Sequence, residues 1–230
     1  IIYTLPNIRK ISVLIRRNKT FGGSKERFMH QVMTSEPLKA MAKKWGNEYL
    51  QQWVQDKIVP ITGDVTQARM GMSEEDYQNL TKNDPLDLIL HCAGNVNFDP
   101  PLNEALEVNT LGVSHKIDLA SDANCPLVHM STCFVIGEYS GQVPESSKII
   151  GTCPKNVDFD VEREVQDAVN LIQRWRDYAD SQVMQESFRA EAIKVLEKKN
   201  LDPTGDYYLT QEIKQQRKRW LNKKLSTEGM

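Results

Sequence analysis

Two short apolar runs in this 230-residue chain end in groups able to do chemistry: Val13-Leu-Ile-Arg-Arg17 and His129-Met-Ser-Thr132. In a nucleotide-binding sheet the residue closing the second strand faces the adenosine ribose, where an acid holds the 2'-hydroxyl and an arginine accommodates a 2'-phosphate. Arg16 and Arg17, with no acid beside them, therefore favour NADPH over NADH; solvated strand-end charges are the alternative. Ser131 and Thr132 offer hydroxyls that stabilise negative charge growing on a carbonyl oxygen during hydride attack. A strand end with backbone contacts only is the competing reading.

Three more groups stand at run ends. Asp64, in Gly63-Asp64-Val65, either caps the next segment or accepts a hydrogen bond from an adenine amino group. The small residues of His91-Cys-Ala-Gly-Asn-Val-Asn-Phe98 let the phosphates and ribose of a dinucleotide lie against the backbone, or else simply make a tight turn. Asn109, on the helix that follows, needs a partner, either backbone or water.

The elements that must position these groups alternate. Strands are predicted at 11–16, 57–61, 86–91 and 126–131, with helices at 24–33, 36–55, 73–82 and 102–120, the pattern of βαβ units around a parallel sheet. From about Phe159 the texture changes. Val161, Val165, Val169, Ile172, Trp175 and Ala179 recur at helical spacing, a second helix spans Met184–Lys199, and a third starts near Thr210. The expected division is a nucleotide-binding domain over 1–150 and a helical segment over 151–230.

Composition narrows the partners. A net charge of −2 and a pI near 6.1 give no pull toward nucleic acid. No run approaches the roughly 18 apolar residues of a membrane span and no secretory leader is visible, so the chain reads as cytoplasmic. Cys92, Cys125, Cys133 and Cys153 form no C-x-x-C pair, which argues against a zinc or dithiol site and for reduced thiols. Residues 214–224 hold six basic side chains around Trp220. Such a helix lies on an anionic membrane surface, contacts the phosphates of coenzyme A or an acidic carrier protein, or is a solvated helix that docks through its tryptophan.

Taken in order, Leu-Ile-Arg-Arg17, Gly63-Asp-Val65, Met70-Gly-Met-Ser73, His91–Phe98, Val108-Asn-Thr-Leu-Gly112, Ser131-Thr-Cys-Phe-Val135 and Ser140-Gly-Gln-Val-Pro-Glu145 resemble the fatty acyl-CoA reductases among the extended short-chain dehydrogenases. The resemblance covers residues 9–145 and implies an α/β, Rossmann-like doubly wound parallel sheet followed by a helical insertion similar to the bacterial-type form. It implies NADPH-dependent reduction of a long-chain acyl thioester to aldehyde or fatty alcohol. Arg16 and Arg17 would meet the 2'-phosphate, Asp64 and Val65 the adenine, and Cys92, Ala93 and Gly94 the cofactor. Asn109 would hold an active-site water and backbone. Thr132, with Ser131 as neighbour, would polarise the carbonyl, and Phe98, Cys133 and Phe134 would line the acyl group. For Phe98 a core position is the alternative.

Two parts of that family's machinery are not seen. No glycine-rich turn precedes the Arg16 strand, and no tyrosine has lysine four positions on. The expectation is a chain cut at both ends, its first strand missing, and inactive as it stands. A reductase domain acting on carrier-bound acyl groups, another extended short-chain dehydrogenase such as a nucleotide-sugar enzyme, and a non-catalytic scaffold are the alternatives.

Overall fold

The computed structural model describes residues 7–18, 20–132, 141–142, 160–203 and 205–228. Two compact units result, Ile1–Ala93 with Leu111–His129, and Gly94–Thr110 with Met130–Met230.

The first unit is α/β. Strand β1 (Ile11–Ile15) leads through α1 (Ser24–Arg27), a π turn at Phe28–Val32, α2 (Glu36–Trp45) and α3 (Asn47–Lys57) to β2 (Ile58–Thr62). The strands pair in parallel, Ile11 opposite Ile58 through Ile15 opposite Thr62. Pro60 sits opposite Val13 and its carbonyl accepts from the Ser24 hydroxyl at 3.2 Å. A ring without an N–H suits a strand whose other side carries no ladder among the described residues. Ile15, Phe28, Leu50, Val54 and Ile58 are buried between helices and strands. The single helix expected over 36–55 is two, because Gly46 takes φ +88°, outside any helix, a backbone state glycine adopts without a Cβ penalty.

A 3-10 turn at Ala68–Gly71, α4 (Glu74–Gln78) and a π turn at Asn79–Asn83 precede β3 (Ile89–His91). Ser73 caps α4, its hydroxyl accepting from the Asp76 amide at 3.1 Å, with three acids in the first turn where the helix dipole favours them. Residues 102–122 are helical as α5 (Leu102–Ala105), a π segment (Leu106–Leu111) and α6 (Gly112–Asp122), and β4 (Leu127–His129) follows. β4 pairs in parallel with β3, Ile89 opposite Leu127 and His91 opposite His129. Met70, Tyr77 and Leu119 form the core here.

The parallel strands joined by helices are the α/β arrangement that the residue pattern predicted and the family resemblance implied as Rossmann-like. The expected continuous sheet is, however, two parallel pairs: among the described residues no ladder joins β1–β2 to β3–β4. Pairing needs facing backbone donors and acceptors, and each pair shares them only internally.

The second unit is helical. Its long elements are α7 (Val161–Asp180), α8 (Gln182–Lys198) and α9 (Asp206–Glu228), with α9 packed on both α7 and α8. The Asp160 carboxylate caps α7, accepting from the amides of Glu162 and Arg163 at 3.0 and 3.1 Å. Leu106, Ile172, Leu221 and Leu225 make one core, and Ala192, Leu196 and Leu209 another. No helix among the described residues is long and apolar enough to cross a membrane.

Candidate functional site

Arg16 and Arg17 follow β1 directly and are exposed. The Arg16 carbonyl accepts from the Arg27 guanidinium, and the Asn18 side chain accepts from the amides of Thr20 and Phe21 at 3.1 and 2.8 Å. The turn is thus tied down while both arginine side chains reach solvent.

The segment after β2 is built tightly. A Cβ on Gly63 would strike the Met70 carbonyl oxygen and Leu14. The Asp64 amide donates to that carbonyl at 2.7 Å, and its Oδ1 accepts from the Thr66 amide and hydroxyl at 3.0 and 2.8 Å. One carboxylate oxygen therefore holds the turn, and Val65 packs on the Met70 core. Arg69, Met70 and Gly71 all have positive φ, between 50° and 59°, a conformation that Arg and Met adopt at a cost.

In the second unit the Asn109 side chain closes a ring with Asn95: its Oδ1 accepts from the Asn95 amide at 2.8 Å, and its Nδ2 donates to the Asn95 carbonyl at 3.0 Å. Of the two partners considered for Asn109, the structure supplies backbone. A Cβ on Gly94 would lie 3.4 Å from Asn109 Oδ1, at the edge of an ordinary contact. Cys92, Ala93 and Gly94 are exposed, Cys92 as a free thiol. Phe98 is 88% exposed, which removes the core alternative. Ser131 and Thr132 are exposed too, whereas Cys133 and Phe134 lie outside the described residues. Arg16, Arg17, Asp64, Val65, Cys92 and Ala93 belong to the first unit; Gly94, Phe98, Asn109, Ser131 and Thr132 belong to the second.

Residue types and spacing gave no role to a cluster in the first unit. His91 closes β3 with 5% exposure, and its Nδ1 lies 2.6 Å from Nδ1 of His129, which closes β4. Lys116 of α6 has no exposed surface, and neither its Nζ nor His91 Nε2 has a hydrogen-bond partner. Burial, with Lys116 and His129 adding, pulls His91 down to about 4. Burial pulls Lys116 down to about 8 against the attraction of Asp64. The signal was present in the sequence: Gly112, Lys116, Leu119 and Ala120 form the buried stripe of α6, so a lysine stood at a core position.

The helical unit settles Trp220 as a docking residue. It lies 5.7–5.9 Å from the rings of Trp175, Tyr178 and Phe188. Of the basic residues around it, Arg217 pairs with Asp180, Arg219 lies 3.7 Å from Glu212, and Lys224 sits over Trp175. No cluster of metal-ligating side chains occurs among the described residues.

Comparison with known proteins agrees in kind. The chain is 26% identical over 166 residues to fatty acyl-CoA reductase 8 of Arabidopsis thaliana, the match covering 70% of this chain and 33% of that protein. It is 24% identical over 174 residues to the alcohol-forming fatty acyl-CoA reductase of Simmondsia chinensis, covering 73% and 35%. The chain thus spans about a third of the length of these curated relatives. Among solved structures, the terminal R domain of the myxalamid PKS-NRPS pathway aligns with a TM-score of 0.47 at 23% identity, over 70% of this chain and 38% of that one. A profile of the NAD-binding male sterility protein family matches residues 1–198, and the chain belongs to that family.

Proposed function

We propose that this chain carries the cofactor- and carbonyl-facing residues of an NADPH-dependent reductase of long-chain acyl thioesters, with residues 1–150 as the NADP-binding part and 151–230 as a helical insertion. The observation that carries the reading is the family match over 1–198 together with relatives named as fatty acyl-CoA reductases. The local geometry suits a dinucleotide: exposed arginines without an acid at the end of β1, and a loop of small residues braced by Asn109. When bound, NADPH supplies the hydride. Arg16 and Arg17 take the 2'-phosphate, while Asp64 and Val65 border the adenine and the backbone of Cys92–Gly94 borders the cofactor. Thr132, with Ser131 beside it, donates to the thioester carbonyl oxygen as charge grows there. Phe98, Cys133 and Phe134 line the acyl group. The substrate is acyl-CoA in preference to a carrier-bound acyl group, and any contact with anionic lipid is assigned to the exposed Lys214, Lys218 and Lys223, on the outside of a cytoplasmic protein.

Fluorescence titration with NADPH and NADH tests the cofactor assignment. Arg16→Ala should weaken NADPH binding and leave NADH nearly unchanged; an equal effect on both removes the phosphate role. In protein that turns over acyl-CoA, Thr132→Ala should slow the reaction by about 100-fold or more, the usual size of a lost oxyanion donor, and unchanged turnover removes that assignment.

A further inference from the structure

His91 and His129 stand opposite each other in the β3–β4 register. Their Nδ1 atoms are 2.6 Å apart, their ring centres 4.7 Å apart, and their planes 10° from parallel. A nitrogen-to-nitrogen approach of 2.6 Å caps the separation of near-parallel planes. With centres 4.7 Å apart, the rings are therefore displaced edge to edge, not laid face to face. Such a contact needs one N–H and one bare nitrogen, since two N–H groups would collide and two lone pairs would repel. The pair holds a single proton between its Nδ1 atoms.

The surroundings decide which ring carries it. Nε2 of His91 is buried without a partner, so a proton there would be an unsatisfied donor in the field of the Lys116 ammonium. The proton belongs on His91 Nδ1. His129 is exposed and can present Nε2–H to water. The charged groups acting on this pair are Lys116 from α6 and, through Lys116, Asp64 from the segment after β2.

We propose that His91 and His129 are positioning residues: the shared proton pins the end of β3, where the Cys92–Asn95 loop departs, to the end of β4, three residues before Thr132, and Lys116 keeps His91 in its neutral Nδ1–H form. The importance of those two strand ends for catalysis rests on the function proposed above; the pin itself does not. Burial and the Lys116 charge outweigh a hydrogen bond to the Ala93 backbone and pull His91 to about 4, which keeps the pin in place across neutral pH.

Histidine 15N NMR on the whole chain, followed through acid and neutral pH, tests the pin directly. His91 should show the Nδ1–H form and His129 the Nε2–H form, and Lys116→Met should move the His91 titration upward. Amide exchange then tests the positioning. His129→Leu should raise exchange at both Cys92–Asn95 and Met130–Thr132, whereas His129→Asn, whose amide oxygen can stand near the place of Nδ1 and accept the same proton, should keep both protected. His91 found as Nε2–H, a His91 titration indifferent to Lys116→Met, or equal exchange in the two His129 variants would each overturn the proposal. Should Lys116→Met not fold, the two His129 variants decide alone. NADPH titration of the same samples separates the two readings, since absent binding with an intact pin counts against the proposed function only.

Discussion

The two units bury charge in opposite ways. In the helical unit Glu212 is 4% exposed, and its carboxylate accepts from Gln216 at 2.9 Å, pairs with Lys199 at 3.2 Å and has Arg219 at 3.7 Å. In the strand unit Lys116 is wholly buried with its Nζ unpartnered, beside a histidine whose inner nitrogen is unpartnered as well. A buried charge met by partners recovers much of what it loses on leaving water, and an unmet one does not. The helical unit is thus built for stability. The strand unit accepts a penalty at its strand ends, where strained or unmet groups are characteristic of function.

The largest test removes stability from the helical unit alone. Leu225 is fully buried among Leu106, Ile172 and Leu221, so Leu225→Ala should cost about 2–5 kcal/mol in lost burial and cavity. The four tryptophans divide evenly, Trp45 and Trp53 in the strand unit and Trp175 and Trp220 in the helical one. In urea titrations of 5-fluorotryptophan-labelled protein read by 19F NMR, the second pair should melt earlier and the first should hold its midpoint. A common shift would show that the units unfold as one.

Lys116 gives the next effect, through pH. Its folded value near 8 lies below its ordinary 10.5, so between the two the unfolded chain binds more protons and stability rises with pH. The gain across that window is about 3 kcal/mol. Tyr77 works the other way: burial and the Asp122 hydrogen bond raise it to about 12, and the stability it lends is full below 10 and lost as pH rises toward 12. Burial also raises the Cys125 thiol, which opposes the lysine in this range, so denaturant midpoints at pH 7.5 and 10 read Lys116 as the difference between the parent chain and Lys116→Met. Lys116→Met should abolish the rise and be the more stable protein at neutral pH; a rise that survives in the variant would mean another group produces it.

What residue order revealed was local. The strand predicted at 11–16 is β1 at Ile11–Ile15, and the helical repeat from Val161 is α7, because short apolar runs and 3.6-residue apolar patterns act over a few neighbours. Its place on a helix marks Asn109 as an amide in need of a partner, but its ring with Asn95 spans fourteen positions and depends on how the loop folds back. The His91–His129–Lys116 cluster draws on two strands and a helix. Its histidines lie in runs whose residue types point to other chemistry, and only the β3–β4 register places them side by side. The two-pair arrangement of the strands was likewise out of reach of any local pattern, since ladder partners are chosen in three dimensions.

A smaller contrast uses glycine. A Cβ at Gly63 of the strand unit would meet the Met70 carbonyl and Leu14, backbone and core that cannot both yield, so Gly63→Ala should cost about 1–3 kcal/mol. At Gly205, before α9, the nearest atom would be 3.6 Å away, an ordinary contact. Gly205→Ala should leave stability unchanged or raise it slightly by restricting the unfolded chain. Thermal melts of the two variants side by side read the difference. Equal costs would mean the segment after β2 is looser than its contacts indicate.

The smallest effect lies on the surface of the helical unit. Arg217 grips Asp180 with two parallel hydrogen bonds, Nε to Oδ1 at 2.7 Å and its second guanidinium nitrogen to Oδ2 at 2.8 Å, tying α9 to the end of α7. The Arg217 hydrogen bond holds the Asp180 carboxyl below its ordinary range, so the pair lends stability above that range and loses it as pH falls through the folded value. Asp180 is 59% exposed, and water and salt screen most of the attraction. Arg217→Lys keeps the charge and loses the fork, and should cost about 0.5 kcal/mol, shrinking with added salt. Urea midpoints at low and high salt measure it. A cost well above 1 kcal/mol that ignores salt would mean the pair is shielded from solvent rather than a screened surface contact.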